Sequence, residues 1–249
     1  MPISQDIRVG VILFAAGVLY AFPGGFQSQV TNTVQPQLEL FIQNHDGVHK
    51  SESRINLLIG AITSGRTLGA MIGAATASYL GLRFGPLHTL SMFVAPIYFI
   101  GSALMAGSFF AHNVDLLIFG RVVFGLGAGM NNVLSHIYVA ECSPAHRRGF
   151  NYAILKIITA SGNLLSLVLG LENIFGSQTR MFALFGFTAI FGAVGAFGIF
   201  VFPESPGHAV QRGDLGAAKG SVSRLLGRTA SDAQIDGVVT GMLNLYFSY

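Results

Sequence analysis

Charge is scarce in this chain. Only 10% of its 249 residues are Asp, Glu, Lys or Arg, against 51% that are apolar. A soluble globule of this size carries about 25% charged residues, so that class is excluded and a polytopic membrane protein remains. Tryptophan is absent, which is atypical of membrane proteins. The one cysteine, Cys142, excludes an internal disulfide, and between Glu141 and Ser143 it reads as a packing or spacer residue rather than a nucleophile. The net charge is +3 with the basic residues scattered, which gives nucleic acid no footprint. The first apolar run is long and is not followed by a small-residue cleavage site, so no cleavable signal is expected. The seven histidines are scattered as well. No nucleophile, base and orienter set and no metal-ligand spacing accompanies them, so the expectation is no enzyme, no metal and no cofactor.

What the chain has in quantity is glycine (32) and phenylalanine (21), a composition suited to packed membrane helices. A helix crossing the hydrocarbon needs roughly 20 mostly apolar residues. Six such runs predict an all-α membrane protein with crossings near 7–28, 55–81, 89–110, 114–137, 150–171 and 181–203. Arg66, Arg121 and Lys156 lie inside them. Of the other basic residues, Arg8, Arg83, Arg147, Arg148, Arg212, Lys219, Arg224 and Arg228 fall on one set of connections, and Lys50, Arg54 and Arg180 on the opposite set. Eight against three predicts that both termini are cytoplasmic. The longest outer loop, 31–54, has no Asn-x-Ser/Thr sequon, so no N-glycan is expected there. Residues 1–206 thus form the bundle, and 207–249 read as a cytoplasmic amphipathic tail whose last nine residues are too few to span.

Ala61, Gly65, Gly69, Gly73, Ala77 and Gly81 recur every four residues in the second crossing, a stripe without bulk against which another helix should lie. Gly162, Ser166 and Gly170 repeat the device in the fifth. Gly125, Gly127 and Gly129 do not form a dinucleotide fingerprint, because no strand precedes them and a phosphate loop in mid-membrane has no water.

Three motifs stand at the right crossings in the right order. The fourth crossing and its exit hold Gly120, Arg121, Gly125, Gly129, Tyr138, Glu141, Ser143, Pro144, Arg148 and Gly149; Arg83, Phe84 and Gly85 follow the second; Pro203, Glu204, Ser205 and Pro206 follow the sixth. Together they resemble the sugar porter branch of the major facilitator superfamily. The resemblance implies a cytoplasmic gate network of Arg83, Gly85, Glu141, Arg148 and Glu204, with Arg121 anchoring the fourth crossing from inside. Such a network, broken and remade, biases a transporter between inward-open and outward-open states. It also implies a small-molecule substrate, a lipid bilayer and, by the family's common location, the plasma membrane.

The chain departs from the pattern at Leu82, Pro86 and Leu87, where the family carries an acidic or amide residue and basic residues, and at Gly207 and His208, where it carries an arginine and an aromatic. Lys156 stands where sugar porters commonly present a glutamine, and Arg66 at a place that is usually apolar. Ionisable groups in a membrane cost about 2.5–3.5 kcal/mol on insertion scales and tend to face a wet cavity or a partner. Lys156 and Arg66 are therefore candidate substrate-binding residues, favouring an anionic solute, with snorkelling to the surface the alternative for Lys156. Gln27, Asn131, Asn132 and Asn163 are uncharged candidates, with Asn32 as a further one at the loop edge. Pro23, Gly24 and Gly25 should kink or unwind the first crossing. That crossing holds no acid, which favours facilitated diffusion over proton symport.

Full members of the family have twelve crossings, with the substrate between two six-helix halves. Six crossings supply one wall of the cavity. Four readings follow: the N-terminal part of a longer product, a half-transporter that forms a homodimer or joins a second half, a non-transporting membrane protein that regulates a full-length relative, or, with nothing to support it, an enzyme.

Overall fold

The computed structural model describes residues 3–44, 52–227 and 231–247. Among them every regular element is helical. The helices are α1 (Ile3–Thr33), α2 (Gln35–Asn44), α3 (Glu52–Phe84), α4 (Pro86–Phe110), α5 (Val114–Cys142), α6 (Arg148–Leu169), α7 (Met181–Ala196), α8 (Pro206–Gln211), α9 (Leu215–Leu226) and α10 (Asp232–Phe247). Lys50, Arg228 and part of the 31–54 loop lie outside the described residues. Five helices are long and apolar enough to cross a membrane: α1, α3, α4, α5, and α6 with the 3₁₀ turn Ala145–Arg147 that leads into it.

The sixth crossing differs from the single run expected over 181–203. Helix α7 ends at Ala196, and a separate short turn, Gly198–Val201, continues it. The cause lies across the bundle, where the Tyr20 hydroxyl donates to the Gly195 carbonyl at 2.7 Å, an acceptor the helical ladder would otherwise use. A side chain entering the ladder is a standard origin of a break. Pro23, in contrast, does not unwind α1, which runs through it unbroken. The segment packs closely on α6: a Cβ on Gly25 would fall 2.2 Å from the Thr159 carbonyl oxygen. Pro96 leaves its mark in α4 instead. It cannot donate to the carbonyl four residues back, and the turn just before it, Leu90–Val94, is π-helical.

Helix α3 packs on α5, α1 on α6, and α4 on both α5 and α7. The small-residue stripe is the α3–α5 seam. Gly65, Gly69, Gly73, Ala77 and Gly81 are all buried, and a Cβ on Gly69 or Gly73 would meet the carbonyl of Val122 or Leu126 at 2.1 or 1.9 Å. Gly125 and Gly129 return the contact against the backbone of Arg66 and Ala70. The two backbones therefore touch over several turns, a geometry that membrane helices use in place of a hydrophobic driving force.

Beyond the bundle, Asp214 caps α9 by accepting from the Ala217 amide at 2.9 Å, and α9 buries Ala218, Val222, Leu225 and Leu226 on one face. That face packs on the first turns of α1, where Arg8 donates to the Arg224 carbonyl at 3.4 Å, and α10 packs on α8 and α9. Helices α8, α9 and α10 thus lie at the end of the bundle that also holds the 84–86, 142–147 and 203–206 connections.

Candidate functional site

Four helices meet around a cavity of about 330 Å³. Helix α1 contributes Gly24, Gly25 and Ser28; α3 contributes Arg66; α5 contributes Asn131, Asn132, Ser135 and His136; α6 contributes Lys156, Thr159 and Asn163. Of the residues singled out from the sequence, Arg66, Lys156, Asn131, Asn132 and Asn163 come together here. Arg66 donates from Nη2 to the Gly24 carbonyl at 3.1 Å, while its Nε is buried without a partner. Asn163 Oδ1 accepts from Ser28 at 2.7 Å, so its amide NH₂ remains for a ligand. Lys156 and Asn132 are exposed on the rim.

Gln27 is not part of this wall. It is fully buried between α1 and α7, and its Nε2 donates to the Phe185 carbonyl and to Thr188 Oγ1, each at 2.9 Å. The rotation of α1 turns Ser28 to the cavity instead. Asn32 is exposed away from the cavity, with its amide on Gln29 Oε1. Ser28, Ser135, His136 and Thr159 are polar cavity residues that no motif in the sequence marks. Their signal was spacing: His136 is one turn beyond Asn132, and Thr159 one turn beyond Lys156.

The charged end of the bundle forms a second constellation. Glu204 Oε1 accepts from the backbone N–H of Leu87 (3.1 Å) and Ser205 (2.8 Å), and Oε2 from the N–H of His88 (2.8 Å) and from the His88 ring. The carboxylate thus caps the first turn of α4, where free amides and the helix dipole favour negative charge. Burial pushes the Glu204 carboxyl up, but the His88 ring and these three amides outweigh it and hold the group below the usual carboxylate range. Gly85 permits the arrangement, having φ of +94° and leaving no room for a Cβ, which would sit 2.8 Å from the Glu204 carboxyl. Glu141 accepts from the Ser205 hydroxyl, and Tyr138 donates to the Pro203 carbonyl at 2.8 Å. His208 donates to the Leu82 carbonyl at 3.1 Å, which gives the departure from the aromatic there a local role.

The rest of the expected network is placed differently. Arg83 is exposed, donating to Tyr79 Oη at 3.2 Å and stacking over Phe84. Arg148 is exposed and makes no ion pair among the described residues, whereas Arg147 approaches Asp6 at 3.5 Å alongside His146 at 3.1 Å. The 3₁₀ turn Ala145–Arg147 directs Arg147, not Arg148, toward α1. Arg121 lies about 30 Å along α5 from Glu141 at 1.5 Å per residue, so it belongs to the interior and not to this end. There it donates to the Gln27 carbonyl at 3.0 Å and lies over the Phe185 ring, with Nε and Nη2 unpartnered.

Residues 10–244 match the protein family described as sugar (and other) transporter. The chain is 27% identical over 246 residues to the Equus caballus protein "Solute carrier family 2, facilitated glucose transporter member 5", covering 95% of this chain and 49% of the relative. It is 31% identical over 183 residues to "Probable glucose transporter rco-3" of Neurospora crassa (72% and 29% covered), and 26% identical over 234 residues to "High glucose sensor RGT2" of Saccharomyces cerevisiae (93% and 29% covered). In structure it is similar to the xylose transporter XylE from E. coli in a partially occluded inward open conformation. The TM-score is 0.80 at 22% identity, over 96% of this chain and 58% of that one. The chain spans about half the length of the horse relative and of the xylose transporter. The likeness in structure shows the fold, half of a major facilitator bundle.

Proposed function

This chain belongs to the sugar (and other) transporter family, and we propose that it forms one wall of a membrane pathway for a sugar or related small polar solute. The observation that carries the reading is the polar cavity among α1, α3, α5 and α6, where amide, hydroxyl and cationic groups converge within otherwise apolar helices. Polar groups in such helices are costly unless they face water or a partner. Its relatives are named as glucose transporters, which supports a sugar as the solute. Transport by alternating access needs a second six-helix half, from a second copy or another chain, rocking against this one.

The charged end faces the cytoplasm in this reading, supported by the excess of basic residues on its connections, and the plasma membrane is the proposed location. Glu204, on the connection after the sixth crossing, and Glu141, at the end of α5, would hold the gate closed on that side. Facilitated diffusion is the proposed mode, because no acid lies within α1 beyond Asp6, which pairs with His146 and Arg147 at the helix end.

Uptake of labelled hexoses, polyols and sugar acids into liposomes containing the purified chain, with its oligomeric state measured in parallel, tests the proposal. Saturable uptake by a dimer is the expected result. A well-folded chain that moves none of these solutes alone or with a co-expressed second half would overturn it. That outcome would favour a non-transporting protein that regulates a full-length relative, and one relative is named as a glucose sensor.

A further inference from the structure

Resting on the reading of the cavity as a solute wall, we propose that the solute it selects is a monosaccharide bearing a carboxylate, such as a uronate, in preference to a neutral hexose. The sequence places Arg66, Arg121 and Lys156 within the crossings, whereas among the described residues the Asp and Glu of the membrane-length helices all lie in a first or last turn. Two of those three cations line the cavity, and no carboxylate joins them among the described residues. Arg66 stands about 20 Å from the nearer end of α3 at 1.5 Å per residue, beyond the reach of snorkelling. Its guanidinium has the Gly24 carbonyl for one donor and nothing for the buried Nε.

Lys156 lines the same cavity from α6. Thr159, one turn along α6, packs on Gly25, the neighbour of the Gly24 that Arg66 holds, so both cations border the same stretch of α1. A cation in a low-dielectric wall without a counter-charge is costly, and a ligand carboxylate supplies both the charge and the two-oxygen fork that a guanidinium fits. The ring hydroxyls of the same ligand would meet Asn132 and the free NH₂ of Asn163. A neutral hexose offers acceptors to these groups but leaves both charges uncompensated.

The test is equilibrium binding to the full chain in nanodiscs, with D-glucuronate, D-glucose and acetate at one ionic strength. Glucuronate should bind roughly ten-fold or more tightly than glucose, since one charge-assisted bond is worth at least that ratio. Arg66→Gln should remove the preference and Lys156→Gln reduce it. Glucose binding as tightly as glucuronate would overturn the inference and leave the solute-wall reading standing. Acetate binding as tightly as glucuronate would overturn it too, since charge alone would then be recognised. Saturable binding of none of the three would overturn both. Should Arg66→Gln fail to fold, Lys156→Gln on the exposed rim carries the test, and an unchanged preference in it would overturn the inference.

Discussion

Glu204 and Arg66 are partly buried charges of opposite sign that the same bundle treats in opposite ways. Both oxygens of Glu204 are engaged, by three backbone amides and the His88 ring. Arg66 has one backbone carbonyl and an idle Nε. A charge satisfied from every side fixes one arrangement of the chain around it, whereas a charge left short of partners can still gain from a ligand. The first therefore holds structure together, and the second is free to serve recognition.

The sharpest way to break the comparison is to remove each charge in turn. Glu204→Ala strips the acceptor from three amides and a histidine, and a thermal-unfolding measurement should show a loss of about 3 kcal/mol or more. Arg66→Gln removes an uncompensated charge and one hydrogen bond, so the same measurement should move by less than about 1 kcal/mol in either direction. Next in size is Gly85→Ala, which asks an alanine to adopt φ of +94° with its Cβ against the Glu204 carboxyl. The expected cost is about 2 kcal/mol, read as a lowered unfolding midpoint.

A pH titration sharpens the contrast further. The folded pKa of Glu204 lies below its usual value of 4.5, so its contribution to stability is present above that pH and is lost as the pH falls through the lower, folded value. An acid series of unfolding midpoints should therefore fall more steeply for the native chain than for Glu204→Gln. The smallest effect belongs to Lys156→Gln. Because that residue is exposed on the rim, its unfolding midpoint should correspond to a change within about 0.5 kcal/mol.

Most of the bundle was legible in the sequence because run length and small-residue spacing are local properties. The α3–α5 seam follows directly from glycines four residues apart, and Arg66 and Lys156 stood out because a charge in an apolar run is expensive. What could not be read depends on distant contacts or on helix rotation. The break in the sixth crossing comes from Tyr20, 175 residues away from Gly195. Gln27 and Ser28 are neighbours in sequence, yet the rotation of α1 sends one into the α7 interface and the other to the cavity. The exchange of roles between Arg147 and Arg148 follows from a single 3₁₀ turn. His88 was the missing basic partner of the second connection, displaced only slightly from the place where the family pattern would put it.

The central claim is that the face bearing Asn132 and Asn163 looks onto a water-filled solute path. The native Cys142 is buried, so Asn132→Cys and Asn163→Cys each provide a single accessible thiol. Labelling of these variants in liposomes by a charged, water-soluble thiol reagent tests the claim most directly. The account predicts modification at both positions, slowed by a saturating concentration of the transported sugar. Modification only by a lipid-soluble reagent, unaffected by any sugar, would place this face against lipid and contradict it.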